Sequence, residues 1–342
     1  MVEADFEQNL GYNHMTTFSY LGHEAVGAYV SKQLGAAGMN AVDDVSSADV
    51  VLTYFTHASA LEDAYFEEDG IIKNARKGTL LIDLSPSTLS VSREISAVAT
   101  VNDFHPVEAP LAILDVTLAD AFAMRENFVC FVSCDDDAFD SAHDIVENLA
   151  GIVKRCGTSG TAQLAKASHT MQYSAQFMAA VEAEALVRAA LEANEQILSV
   201  ESSSIIEPLS DVISSALPAI ESTQCEGTYT VELMMADVVA AMTVADDASA
   251  VLPHLESTLR MLEMLALIGG ADLSPAALTL LFRDESVCSK FGLDWSRVEG
   301  LYVEGQEPIH NHDLHEEFEQ EYGDFNIFDG NDEEFDFGGF GV

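Results

Sequence analysis

The chain is short of positive charge: 342 residues hold 14 Lys and Arg against 58 Asp and Glu, a formal net charge of −44. So few basic side chains, spread thinly, exclude the electrostatic footprint on which nucleic-acid binding and adhesion to anionic membrane depend, and neither partner is expected. Fourteen carboxylates and no Lys or Arg follow Arg297, which leaves about −30 on the rest. Two readings of this acidity stand together: a cell with a high-salt interior whose counterions screen the repulsion, and a lineage with an acidic composition bias. No run of eighteen apolar residues occurs, so a transmembrane helix is not expected. The opening MVEADFEQ is acidic, unlike a signal peptide, and a cytoplasmic location is expected. Cysteine is scarce too. Cys130, Cys134, Cys156, Cys225 and Cys288 are odd in number and form no C-x-x-C pair, so reduced core residues are expected.

What is there begins with 48% hydrophobic residues, enough for a packed core, and a length that predicts about two domains. The stretch Gly157–Leu191 opens with the turn Gly157-Thr158-Ser159-Gly160 and then runs without Gly or Pro through Ala, Leu, Met, Gln and Glu. That composition predicts one long helix. Leu164, Ala167, Met171, Ala175, Met178, Val181, Ala185 and Leu186 recur at three-to-four spacing and predict its buried stripe. Lys166, one of six lysines, sits near the start. By residue type alone a helical lysine points into solvent.

Upstream, Thr16–Leu21 reads as a buried strand, followed by Gly22-His23-Glu24-Ala25-Val26-Gly27 and a helix closed by Gly38. This is the strand–turn–helix position at which a dinucleotide fold carries G-x-G-x-x-G. The first glycine makes the tight turn and the third lets helix and strand pack. Glu24 stands in the middle place, either holding the helix amides with its own carboxylate or repelling a diphosphate from them. A strand at Met39–Val42 ends in Asp43-Asp44, about twenty residues after Gly22, where an acid binds the ribose hydroxyls of NAD. Further strands are expected at Asp49–Phe55, Leu80–Ser85, Ala112–Asp115 and Phe128–Val132, and a helix at Ser141–Leu149. Beyond the long helix the pattern is nearly all helical, punctuated by Pro208, Pro218, Gly227, Pro253 and Gly269-Gly270.

Gly157-x-x-Gly160-x-x-Gln163-x-x-Lys166, followed by Glu182-Ala-Glu184-Ala-Leu186, resembles the catalytic helix of the β-hydroxyacid dehydrogenase family. That family includes 3-hydroxyisobutyrate dehydrogenase, 6-phosphogluconate dehydrogenase and imine reductases. The resemblance spans roughly residues 16–282 and implies an α/β fold: a Rossmann-like parallel-sheet domain, then an all-α domain that builds a homodimer. It implies NAD or NADP as cofactor, bound at Gly22, His23, Glu24, Val26, Gly27, Asp43, Phe55 and Thr56. It implies a small-molecule substrate and a catalytic group of Lys166, Ser85, His169 and Thr170. His169 and Thr170 stand where most members carry Asn. Ser85 belongs to Asp83-Leu-Ser85-Pro86, which resembles the family's D-x-S-T turn. There it would contact a substrate carboxylate, while as a plain residue it would cap the helix beginning near Ser90.

Several family features are missing. Only six residues separate Val42 from Asp49, so the nucleotide domain is expected to be trimmed on its adenosine side. The two glycines of D-A-P-V-S-G-G map to Asp120 and Ala121, and the lysine of K-D-L maps to Ala236 in Ala236-Asp237-Val238. The eroded features are those that bind an acid, so a neutral or cationic ligand suits the chain better. The expected domains are a polar leader at 1–15, the Rossmann-like domain at 16–156, the helical domain at 157–283 and an acidic, mobile tail at 284–342. In the tail His310, His312 and His315 with Glu316 and Glu317 read as a solvated polar run, and no metal site is assigned. Its alternating aromatic and acidic end reads as disordered or as a docking peptide for a basic partner. Two functions follow: an NAD(P)-dependent oxidoreductase with Lys166 as proton donor or acceptor, and a diverged, non-redox member that keeps the scaffold for binding or assembly.

Overall fold

The computed structural model describes residues 16–193 and 205–299. The leader at 1–15 and the histidines and aromatic–acidic run of the tail lie outside the described residues. Five strands build the first half of a sheet: β1 (Thr17–Gly22), β2 (Asn40–Ala41), β3 (Val50–Tyr54), β4 (Leu80–Asp83) and β5 (His105–Glu108). They are parallel throughout, in the order β2-β1-β3-β4-β5. Every residue of β3, Val-Val-Leu-Thr-Tyr, is buried, as a central strand covered on both faces requires. The sheet continues with β7 (Phe128–Ser133), antiparallel to β5 and to β6 (Leu111–Ile113), and ends at β8 (Ile152–Gly157) beside β7. β5 and β8 were not expected from sequence, since Pro106 interrupts the first and the second, Ile-Val-Lys-Arg-Cys-Gly, is a largely exposed edge broken by Lys154 and Arg155.

Helices cover the sheet: α1 (Glu24–Ala36), α2 (Ala58–Phe66), α3 (Ile71–Asn74), α4 (Leu89–Val101) and α5 (Asp136–Val146). α1 buries Val26, Tyr29, Val30 and Leu34, one stripe at helical spacing. The trimming after β2 has a geometric basis. β2 pairs only with the beginning of β1, Thr17 to Asn40 and Phe18 to Ala41. Its end therefore lies level with the start of β3, and the chain crosses beneath β1 through one 3-10 turn, Val45–Ser47, without the usual crossover helix. Asp49 seals the crossing by accepting from the Thr17 amide and hydroxyl, each at 2.9 Å.

The helical half begins with α6 (Thr161–Glu192), 32 residues long, about 48 Å at the ordinary rise. Gly157 and Gly160 precede it with φ of 113° and 92°, the left-handed conformation that the glycine spacing predicts. The buried face is the expected one only in part: Met178, Val181 and Ala185 are buried, as their spacing predicts. Leu164 and Leu186 are 50% and 71% exposed, whereas Lys166, Thr170, Tyr173, Phe177 and Glu184 are buried. Apolarity misjudged the face because the polar residues on it find partners inside. α7 (Asp211–Glu221), α8 (Val231–Asp247) and α9 (Pro253–Leu265) pack against α6. Pro218 lies within α7 instead of ending it. A π turn (Ala266–Gly270), a 3-10 segment (Pro275–Phe282), α10 (Glu285–Cys288) and α11 (Ser296–Glu299) follow. The tail boundary expected at 284 is too early: Cys288, Leu293 and Val298 are buried, and Asp294 donates its amide to the Ile268 carbonyl at 2.9 Å. The described residues up to Val298 form one compact unit. Among the described residues no single helix is long and apolar enough to cross a membrane. The five cysteines are free.

Candidate functional site

The β1–α1 turn lies where the chain switches from one side of β1 to the other, the position at which open α/β sheets bind ligands. Gly22 has φ of 126°, and a Cβ there would fall 1.9 Å from the Tyr54 carbonyl oxygen. The turn and the end of β3 thus close on each other so tightly that only glycine fits. A Cβ on Gly27 would lie 2.6 Å from the Tyr20 ring, and the Tyr20 hydroxyl donates to the His23 carbonyl at 2.8 Å. Both glycines therefore do what the motif requires. Glu24 is exposed, and no side chain caps α1, so the first of the two expected roles for Glu24, holding the helix amides, is not adopted. His23 Nδ1 is buried without a hydrogen-bond partner. Val26 is 1% exposed within the core, so its backbone amide in the first turn of α1, and not its side chain, is what it can offer a ligand. Asp43 is exposed after β2, while Asp44 is engaged by the amide and hydroxyl of Ser46, which hold its carboxyl below the usual range. Phe55 and Thr56 follow β3, half-buried.

Along the strand ends Thr53, Asp83, Glu108 and Ser133 are neighbours in register. Asp83 Oδ1 accepts from the Thr53 hydroxyl (2.9 Å), the Ser85 hydroxyl (2.5 Å) and the Ser85 amide (3.1 Å). Ser85 Oγ also accepts from the Phe55 amide at 3.0 Å. Its hydroxyl is fully engaged by these partners, which corrects the expected contact with substrate. Nor does it cap α4, because Thr88 does, accepting from the Val91 amide. Glu108 takes the free amides at the start of α6, Gly160 at 2.5 Å and Gln163 at 2.6 Å. Burial raises both carboxyls to about 6, against the lowering effect of these hydrogen bonds. Gln163 bonds the Ser87 amide and the Ser85 carbonyl, pinning the loop after β4 to α6.

Lys166 lies one turn further along α6, 2% exposed. Its Nζ donates to the Leu111 carbonyl at 2.5 Å and pairs with Asp237 Oδ1 of α8 at 2.6 Å. Asp237 Oδ2 accepts from the Tyr229 hydroxyl at 2.9 Å. His169 Nε2 is 3.0 Å from the Ile113 carbonyl, and its ring stacks on Tyr173. A cavity of about 20 Å³ separates Ile113, His169, Thr170, Tyr173, Tyr229 and Asp237, room for one water. Lys166, His169 and Thr170 stand together at the junction of sheet and helices, and Ser85 reaches them only through Gln163.

Two residues escaped the sequence reading. Glu108 was missed because the D-A-P-V-S-G-G segment was sought near residue 115. The sheet shows that the strand beside β4 ends in Glu108-Ala109-Pro110, which takes the D-A-P place. Asp120 and Ala121 instead meet Thr228, through a 3.3 Å bond to the Asp120 carboxylate and a 2.9 Å bond from the Ala121 amide. Asp237 was passed over because attention fell on the absent lysine at Ala236. An acid amid the buried Leu233, Met234, Met235 and Val238 was the available signal.

The residues at the β1–α1 turn fit a dinucleotide's diphosphate: a glycine that admits close approach and uncapped amides at a 13-residue helix. The far end fits less well, since the cavity lined by His169, Thr170 and Asp237 has space for a single water. Among the described residues no group of three His, Cys, Asp or Glu is placed to hold a metal ion.

Residues 13–160 match the NAD binding domain of 6-phosphogluconate dehydrogenase. An uncharacterised oxidoreductase of Bacillus subtilis is 29% identical over 154 residues, 45% of this chain and 52% of that protein. A probable 3-hydroxyisobutyrate dehydrogenase of Mycobacterium tuberculosis is 26% identical over 193 residues, 49% of this chain and 63% of that protein. The chain thus matches between half and two-thirds of these relatives' length. The solved structure of Mycobacterium tuberculosis 3-hydroxyisobutyrate dehydrogenase with L-serine shares the fold, with a TM-score of 0.63 at 23% identity over 79% of this chain and 100% of that one. Psf3, solved with NADP+ and 2-OPP, gives 0.62 at 15% identity over 78% and 100%. With its nucleotide-binding domain matched and its fold shared, the chain belongs to the β-hydroxyacid dehydrogenase family, of the 3-hydroxyisobutyrate dehydrogenase type.

Proposed function

We propose that the chain is an NAD(P)-dependent oxidoreductase acting on an alcohol or imine, with Lys166 as proton donor or acceptor. The observation that carries this is a lone buried lysine, held at the sheet–helix junction on a helix whose start is fixed by Glu108 and Gln163. The turn at Gly22 and the α1 amides would hold the diphosphate, and Asp43 the ribose. The bound nicotinamide supplies or takes the hydride. In the reducing direction Lys166 gives a proton to the substrate oxygen or nitrogen, and in the oxidising direction it takes one. Either step requires Lys166 to let go of the Leu111 carbonyl or of Asp237, so the junction must open to work.

The closed junction favours a second reading, a non-redox member: the amine is engaged by protein groups and the adjoining cavity holds one water. A thermal-shift titration with NAD(H) and NADP(H) separates the two, because a ligand of the native state must raise its stability. It is run on the wild type and on Glu24→Gly, which removes the charge over the α1 amides. Stabilisation by a dinucleotide, stronger in Glu24→Gly, supports the oxidoreductase. If neither protein responds, the non-redox reading stands. Where turnover is found, Lys166→Ala should lower kcat far more than it weakens binding.

A further inference from the structure

Val42 leaves β2 with its amide donating to the Phe18 carbonyl at 2.8 Å, and β3 is reached when the Asp49 amide donates to the Thr17 carbonyl at 3.0 Å. The link between them has to pass from the β2 side of β1 to the β3 side, two strand spacings or about 10 Å. By Ser47 it is already down beside Thr17, whose hydroxyl donates to the Ser47 carbonyl at 3.1 Å. Val45–Ser47 coil in a 3-10 turn that Asp44 caps through the Ser46 amide, and such a turn advances only about 2 Å per residue. The link therefore uses its length in crossing. It does not climb toward Gly22, which stands three residues above the level of Val42, about 10 Å along the strand. Its apolar side chains are taken as well: Val42 and Val45 pack with Leu21 and Phe55 against the cluster of Val51, Leu61, Tyr65 and Ile71. What the link shows to water is Asp43, Asp44, Ser46 and Ser47.

A purine is held by flat apolar walls and by hydrogen bonds shielded from water. Beyond β1 on this side the chain offers exposed carboxylates and hydroxyls, with Asp44 already engaged by Ser46 and Asp43 left for the ribose. We propose that the chain grips a nicotinamide nucleotide by its phosphate and nicotinamide ends and leaves the adenine in water, so that the nicotinamide mononucleotide serves it nearly as well as the dinucleotide. The inference rests on the oxidoreductase reading and names the part of the cofactor that is recognised. The Gly22 turn and the α1 amides are an anchor that both nucleotides share. Asp43 adds one contact in water, where a hydrogen bond gained from the protein replaces one lost from solvent.

The test uses the full chain and calorimetry with four probes: NADH, its hypoxanthine analogue, reduced nicotinamide mononucleotide, and AMP. The first two are expected to bind within about twofold of each other and the mononucleotide within about tenfold of NADH, while AMP at millimolar concentration leaves NADH binding unchanged. A buried base would instead set NADH apart from the mononucleotide by a factor on the order of a hundred. Glu24→Gly should strengthen NADH and the mononucleotide by the same factor, because both hang from the same amides. A mononucleotide weaker than NADH by more than that margin, a hypoxanthine analogue that falls behind NADH, or AMP that displaces NADH overturns the proposal and leaves the oxidoreductase reading in place. Absence of heat from both NADH and the mononucleotide removes that reading, and the proposal with it.

Discussion

Glu108→Gln offers a measurement whose sign follows from the structure. Glu108 is buried with both oxygens on the α6 amides, and burial raises its carboxyl from an ordinary 4.5 to about 6. For an acid raised in the folded state, the native protein binds more protons than the unfolded chain between those two values. Stability therefore falls as pH rises through that window, and the penalty is complete above about pH 6. Its full size is on the order of 2 kcal/mol, of which about 1 kcal/mol accrues between pH 5 and pH 8. Replacing the acid by Gln turns an NH2 toward one of the two amides and leaves that amide unpaired, a loss of about 1–3 kcal/mol that does not vary with pH. Urea unfolding of both proteins at pH 5, 6, 7 and 8, in fixed molar KCl to screen the net charge, isolates the titration. The variant should be less stable at pH 5 and recover about 1 kcal/mol relative to wild type by pH 8. Parallel curves would refute the assignment of a strained, ionising Glu108 at the helix start.

Lys166→Met strands Asp237 as a buried charge and should cost about 3–5 kcal/mol in urea unfolding at pH 7.5, with Lys166→Met/Asp237→Leu recovering most of it; a single variant of wild-type stability would show that the pair is not desolvated. Gly22→Ala places a Cβ 1.9 Å from the Tyr54 carbonyl at a φ of 126°, so it should lower stability by at least about 2 kcal/mol and reduce any dinucleotide-induced shift in Tm; an unchanged melting curve would mean that the turn does not close on β3. The melting temperature of the wild type should rise with KCl, since the Debye length falls from about 10 Å at 0.1 M to 3 Å at 1 M; a flat curve would leave composition bias as the account of the acidity.

Local chemistry alone made much of this protein legible. The glycines at 22, 27, 157 and 160 announced two strand–helix junctions because backbone sterics act within a few residues, and the structure has those junctions. The short link after Val42 foretold a trimmed sheet, since a strand and helix cannot be built from six residues. Lys166 was picked out by its spacing from Gly157, Gly160 and Gln163. What the lysine touches was beyond such reasoning. Burial of Lys166 in place of Leu164 depends on partners from Leu111 and Asp237, distant in the chain, so a count of apolar side chains found Met178, Val181 and Ala185 but misjudged the start of the face. Ser85 stood in a substrate-binding motif until Asp83 and Phe55 occupied its hydroxyl, and Glu108 drew no notice until the fold set it against the amides of α6. In each case the side chain's role is set by which donor or acceptor the fold brings within 3 Å. A hydrogen bond's energy is decided by that encounter and by the exclusion of water around it, and neither is a property of the residue alone.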